Sequence, residues 1–391
     1  MIRLLRKLDW RQTARNLIVF FYLLLGASCE KGEDMIDIDD LRINEIQVIG
    51  SHNSYRIKTY QKIMNTLSIL VPELARSFDY EHQPLEIQFN DYGMRQIELD
   101  IYYDPEGGHF ANRLDNQFIS EPVESGELEL DEPGFKVLHF PDIDYMTHYI
   151  TFKDALATVK AWSEAHPNHV PIFILVEAKE EGAMNINPNL SGFTEPLPFD
   201  SDALDSIDEE IRDVFEQELN GVITPDDVRR NHATLEEAIL SDGWPTLGEA
   251  RGKVMFGLDN GGGIRDLYVE GHEALKSRIL FTNSDPGTPE AAFIKINNPT
   301  EEIEQLVLKG YLIRTRADSD TEEARSGDTA RRNLALASGA HYISSDYYRP
   351  DPRHTESDDW TDYSVQLPGG EIVRLNPVNG PEEFAGLTIE E

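Results

Sequence analysis

The sequence predicts a (β/α)8 barrel of the TIM type, preceded by a signal segment. Three observations carry the prediction. Between residues 45 and 348 short apolar runs alternate with helical patterns, and the strand-like runs number eight. Polar residues with chemical potential gather at the ends of those runs, where a parallel barrel keeps its functional groups. No repeat of solenoid length competes with this reading.

The strand-like runs are IQVIG (46–50), RQIELDIYY (95–103), KVLHF (136–140), PIFILVEA (171–178), KVMFGLD (253–259), FIKIN (293–297), YLIRTRA (311–317) and HYISSDY (341–347). Helical patterns lie between them at 152–166, 202–219, 235–240, 303–308 and 321–338. In the first of these, Asp154 and Ala155 open an apolar stripe through Ala157, Val159 and Trp162 at helical spacing. ILFTN (279–283) reads equally as a ninth strand or as part of a βα loop. A doubly wound sheet is the alternative architecture. No glycine-rich phosphate turn follows the first strand, and the GGG at 261–263 lacks the spacing of a dinucleotide fingerprint.

The amino terminus has a different character. Arg3, Arg6, Lys7, Arg11 and Arg15 precede an unbroken apolar run at 17–25, followed by Gly26, Ala27, Ser28 and Cys29. This is the layout of a bacterial secretory signal, and the apolar run is shorter than the roughly 20 residues of a membrane-spanning helix. Cys29 stands where a lipoprotein signal places its modified cysteine, with Gly26 where leucine is usual. The expected organisation is therefore a signal at 1–28, an acidic tether at 29–44, the barrel at 45–350 and an extension at 351–391 that packs on or near it. The product would be exported, either to the bacterial surface or outer membrane as a lipoprotein or as a secreted monomer.

Composition narrows the chemistry. The 391 residues include 35 Lys and Arg against 72 Asp and Glu, for a net charge of −37. Such a balance excludes phosphate-backbone binding of nucleic acid, which requires basic patches. A single Cys excludes internal disulfides and structural zinc sites built on several thiolates. A metal would have oxygen or imidazole ligands, and Ca²⁺ or Mg²⁺ comes first.

The strand ends supply a matching set. The first run ends in Ser51-His52-Asn53-Ser54, and the second carries Glu98 and Asp100 two residues apart. Alternation puts those carboxylates on one face, roughly 6.6 Å apart along the strand. The third run reaches His139, and the fourth carries Glu177 and Lys179. Asn53, Glu98, Asp100 and Glu177 make a hard oxygen set suited to Ca²⁺. His52 and His139, from separate strands, are positioned to serve as base and acid, since imidazole titrates near neutral pH.

These residues carry a resemblance to the calcium-dependent, phosphatidylinositol-specific phospholipases C of bacteria, and more distantly to the barrel of the eukaryotic phosphoinositide enzymes. It covers residues 45–348 and rests on IGSHNSY (49–55), QIELDIYYDPEGGHFA (96–111), VLHFPDID (137–144), ILVEAK (174–179), RTRAD (314–318) and SGAHYISSDY (338–347). The resemblance implies His52 as general base, His139 as general acid, and Asn53, Glu98, Asp100 and Glu177 as calcium ligands. It further implies cleavage of an inositol phospholipid at a membrane surface, an inositol hydroxyl attacking phosphorus to give diacylglycerol and a cyclic inositol phosphate. Lys179 would pair with Glu177 or contact the phosphate. Arg314 and Arg316, on one face of the seventh run, would bind phosphate or inositol hydroxyls or form barrel salt bridges, and Asp259 and Lys295 would line the pocket. Cys29 would be the lipidation site.

Two rival readings remain at this level. Glycerophosphodiester phosphodiesterases also combine paired His with a carboxylate-bound cation, but usually show His-Arg-Gly at the first strand, where this chain has His52-Asn53-Ser54. A non-catalytic surface lipoprotein would keep the barrel without the complete site.

Overall fold

The computed structural model describes residues 36–186 and 192–390, so the signal segment and Cys29 lie outside the described residues. The barrel strands are β1 (Ile46–Ser51), β2 (Gln96–Tyr102), β3 (Ile172–Ala178), β4 (Val254–Leu258), β5 (Leu280–Thr282), β6 (Phe293–Lys295), β7 (Leu312–Arg316) and β8 (Tyr342–Ser345). Each pairs in parallel with the next from β1 to β5 and from β6 to β8, and β8 returns to β1. A single parallel bridge, Asn283 to Phe293, joins β5 to β6 and completes the ring.

Strand β3 shows why this sequence takes a parallel architecture. Ile172, Phe173, Ile174, Leu175 and Val176 are all fully buried, as expected for a strand covered on both faces. Register then fixes what the interior contains. Gln96 lies opposite Phe173, Glu98 opposite Leu175 and Asp100 opposite Glu177, so the carboxylates rise toward the carboxyl ends of the strands. Below them Phe173 stacks on Tyr342 at 4.6 Å and meets Phe293 at 4.9 Å. This aromatic layer needs Gly257, because a Cβ there would come within 2.4 Å of the Phe173 ring. A Cβ on Gly50 would likewise meet Gln96 at 2.1 Å, at the one position where β1 and β2 pair.

Two expectations change, and one open reading is decided. The run at 136–140 is not a barrel strand: only Lys136–Val137 is extended, and it pairs antiparallel with Ile101 and Tyr102 at the end of β2. The run at 279–283 supplies the missing wall as β5. A five-residue apolar run has the same pattern in either role, and only its pairing distinguishes them. The helical pattern at 321–338 is also split, into Glu322–Ser326 and Ala330–Ala337, because Gly327 takes a left-handed conformation with φ 72°. The helix Phe152–Ala165 starts where expected, with the Thr151 hydroxyl accepting from the Asp154 N–H.

The chain beyond the barrel returns to its base. Val373–Leu375 pairs antiparallel with Ile46–Val48, and Glu390 reaches the barrel floor. There the Glu390 carboxylate accepts from Arg95 Nε at 2.9 Å and from the Val170 N–H at 2.7 Å, with both side chains almost fully buried. Glu390→Ala would leave Arg95 buried without its counter-charge. Removing one partner of a buried pair costs about 3–5 kcal/mol. Denaturant unfolding should show a loss of that order, and a change within about 0.5 kcal/mol would mean the terminal latch contributes nothing.

Candidate active site

The site is assembled at the carboxyl ends of the strands. The turn after β1 is fastened to β2 by two bonds: the Ser54 Oγ accepts from the Glu98 N–H at 2.8 Å, and the Ser54 N–H donates to the Glu98 carbonyl at 2.9 Å. That fastening places His52 and Asn53 beside the inward face of β2. Asn53 adopts φ 48°, a left-handed conformation that asparagine tolerates better than most residues. Its Nδ2 donates to the Tyr80 hydroxyl at 3.0 Å.

Glu98, Asp100 and Glu177 converge so that one oxygen from each lies within 4.8 Å of the others. Among the described residues no other group of three or more His, Cys, Asp or Glu side chains does so. The fully buried Asp100 faces Lys179 and the buried Tyr55 hydroxyl, neither in good hydrogen-bonding geometry, and the buried Asn53 Oδ1 has no donor. The nearest cations are Lys179 Nζ, 3.5 Å from Asp100 and 3.7 Å from Glu177, and Arg314 Nη2, 2.6 Å from Glu98. Burial raises all three carboxyls, Glu98 to about 7 against the opposing effect of Arg314. Buried oxygens without donors, on like-charged groups, are costly unless a cation collects them. Asn53, Glu98, Asp100 and Glu177 therefore fit a hard, oxygen-seeking divalent ion.

His52 borders this cluster through Glu98, His139 feels the charge of Lys179 from it, and each ring is held by a buried carboxylate. His52 Nδ1 lies 2.8 Å from Asp346 Oδ1, and its Nε2 lies 3.5 Å from Glu98 and 3.2 Å from Arg316 Nη1. Burial, reinforced by Arg316, pushes the His52 imidazole well below its ordinary value against the pull of Asp346. His139 Nδ1 lies 2.7 Å from Asp144 Oδ2, and burial pushes this ring down to about 4. Burial works against ionised Asp144 and Asp346, yet Arg56 holds the first below the usual carboxylate range and Arg316 the second. Two neutral imidazoles, each oriented by a carboxylate, can take up and deliver a proton.

Residues 41–377 match the model of the family described as phosphoinositide phospholipase C, Ca²⁺-dependent. The chain belongs to that family. It is thus a phosphodiester-cleaving phospholipase C, which decides against both the glycerophosphodiester reading and the non-catalytic one. None of the curated proteins matches it. Among solved structures it is similar to a calcium-dependent phosphoinositol-specific phospholipase C from a Gram-negative Pseudomonas species, at 17% identity and TM-score 0.48, covering 87% of this chain and 98% of that one. It is also similar to a Ca²⁺-dependent phosphatidylinositol-specific phospholipase C from Streptomyces antibioticus, at 16% identity and TM-score 0.46, covering 79% and 95%.

Within this phospholipase C barrel His52, Lys179, Arg314 and Arg316 gather round Glu98, Asp100 and Glu177. The arginines of β7 are engaged by the protein: Arg314 holds Glu98 and the Asn297 side chain, and Arg316 bonds Asp346 Oδ2 at 2.6 Å. Lys295 and Asp259 pair with each other. Four partners are absent from the residue-level expectation. Asp144 and Asp346 stand inside the stretches VLHFPDID and SGAHYISSDY, and Asp346 directly follows the last strand, so the strand-end rule that found Glu177 applies to it. Arg56 and Tyr80 carry no such signal, since nothing local marks a buried Arg or Tyr as adjacent to either histidine.

Proposed function

We propose that His52 and His139 are the base and acid of this phospholipase C and that its substrate is phosphatidylinositol itself. The observation that carries the assignment is the pair of buried imidazoles, each fixed by its own buried carboxylate, with His52 3.5 Å from Glu98 of the carboxylate cluster. His52 Nε2 accepts the proton of an inositol hydroxyl as that oxygen bonds to phosphorus. The bond from phosphorus to the glycerol oxygen breaks, and His139 Nε2 delivers a proton to the departing diacylglycerol. Asn53, Glu98, Asp100 and Glu177 would hold Ca²⁺, which when bound supplies charge neutralisation at the phosphoryl oxygens and acidifies the attacking hydroxyl. Asp144 and Asp346 fix the tautomer of each ring, leaving Nε2 toward the reacting atoms.

Lys179, with its ammonium between two ligand carboxylates, is the residue best placed to meet the phosphate once Ca²⁺ occupies those ligands. Export through the segment 1–28 and lipid attachment at Cys29 belong to the same proposal, supported by the signal layout alone. Among the described residues no helix is long and apolar enough to cross a membrane. Phosphorus NMR of the products from phosphatidylinositol tests the chemistry. A five-membered cyclic phosphodiester is expected as the first product, and direct appearance of an acyclic inositol phosphate would refute attack by the substrate's own hydroxyl.

A further inference from the structure

The two histidine–carboxylate pairs are built differently. Asp346 divides its oxygens, Oδ1 to His52 and Oδ2 to Arg316. Asp144 crowds three donors onto one oxygen: Oδ2 faces His139 Nδ1 at 2.7 Å, Arg56 Nε at 2.7 Å and Arg56 Nη2 at 2.6 Å. Its other oxygen, buried, has no partner. Arg56 is itself fully buried, an expensive place for a guanidinium that only packs. The same guanidinium donates to the carbonyls of Phe78 and Tyr80 and lies 4.3 Å from the centre of the Tyr80 ring. Phe78 sets its ring edge against His139 at 4.7 Å, and the Tyr80 hydroxyl lies 3.5 Å from His52 Nδ1.

We propose that Arg56 is a positioning residue that sets the acid strength of His139, by competing for the single Asp144 oxygen that holds the imidazole. An oxygen already bonded twice to a cation is a poorer acceptor for a third N–H, so it stabilises imidazolium less. His139 is thereby kept a stronger acid than an unshared aspartate would allow, while His52 retains an Asp346 oxygen to itself. The groups that face His139 are Asp144, Arg56, Lys179, and the Tyr102 hydroxyl, which donates to the His139 carbonyl at 3.2 Å. Only Asp144 favours the imidazolium, and Arg56 and Lys179 both oppose it. The inference rests on His139 being the general acid, but its physical core, the control of one imidazole by one arginine, is measurable without that role.

The test is an NMR titration of His139 in the full, Ca²⁺-loaded chain, with His139→Ala identifying the resonance. In Arg56→Gln the imidazole should titrate about 1 pH unit or more above wild type. The basic limb of the kcat profile should move the same way while its plateau falls. In an Asp144→Asn background, Arg56→Gln should raise the His139 titration far less, by the direct effect of its charge alone, and an equal rise in both backgrounds would overturn the proposal. Should Arg56→Gln fail to fold, Arg56→Lys keeps the charge with fewer donors and should give a smaller rise. A folded variant with unchanged His139 titration, losing activity equally at all pH values, would overturn the proposal and leave Arg56 as packing. If His139→Ala keeps its turnover, the acid assignment fails while the titration still decides the role of Arg56.

Discussion

Replacing His52 or His139 with alanine is expected to lower turnover of phosphatidylinositol by about two to four orders of magnitude, with the fold intact. Neither ring is needed to satisfy its carboxylate. Asp144 keeps both contacts from Arg56, and Asp346 keeps Arg316 at 2.6 Å. Alanine therefore removes the proton carrier without leaving a buried charge unpaired, and circular dichroism and unfolding should be near wild type. The variants should differ in what rescues them. A substrate with a more acidic leaving group needs no proton from His139, so it should recover much of the rate of His139→Ala and little of that of His52→Ala. Near wild-type turnover by both variants would refute the assignment, and equal rescue of both would refute the division into acid and base.

What could be read before the structure follows from how far each signal reaches along the chain. Strand β2 was legible because Gln96, Glu98 and Asp100 alternate with Ile97, Leu99 and Ile101, and β3 because an unbroken apolar run leads to Glu177, carboxylates that an apolar strand would not otherwise tolerate. The placement of His139 was legible for a different reason than expected. It does not end a barrel strand. It follows a two-residue arm that folds back from the end of β2, and the turn at 140–144 then brings Asp144 under the ring. Glu98 and Asp100 were identified by spacing, whereas Arg56 joins Asp144 across 88 residues and Arg314 joins Glu98 across 216. The first contact joins segments that follow the neighbouring strands β1 and β2, and the second depends on barrel closure. No window of sequence contains them.

Withdrawing Ca²⁺ is expected to abolish activity and also to destabilise the fold, and the second effect separates a built cation site from a merely acidic one. Glu98, Asp100 and Glu177 each bring one oxygen within 4.8 Å of the others, and Asp100 is faced by Lys179 and Tyr55 without a well-formed hydrogen bond. Lys179 and Arg314 offset part of this repulsion but make no hydrogen bond to Asp100. A ligand that binds only the folded state stabilises it by about 2.7 kcal/mol at 100 times its dissociation constant, so the melting temperature should climb with Ca²⁺. Because carboxylate ligands bind metal when deprotonated, the climb should be larger at pH 8 than at pH 5. Asp100→Asn should then show effects of opposite sign. It deletes a buried charge, so the metal-free variant should melt no lower than wild type. It also deletes a ligand, so the Ca²⁺-dependent rise should shrink and turnover should fall by about two orders of magnitude or more. Activity indifferent to chelator, or a melting temperature indifferent to Ca²⁺, would assign the cluster to ion pairing with Lys179 and Arg314. An Asp100→Asn variant destabilised without metal would point the same way, since the carboxylate would then be contributing to the fold through Lys179.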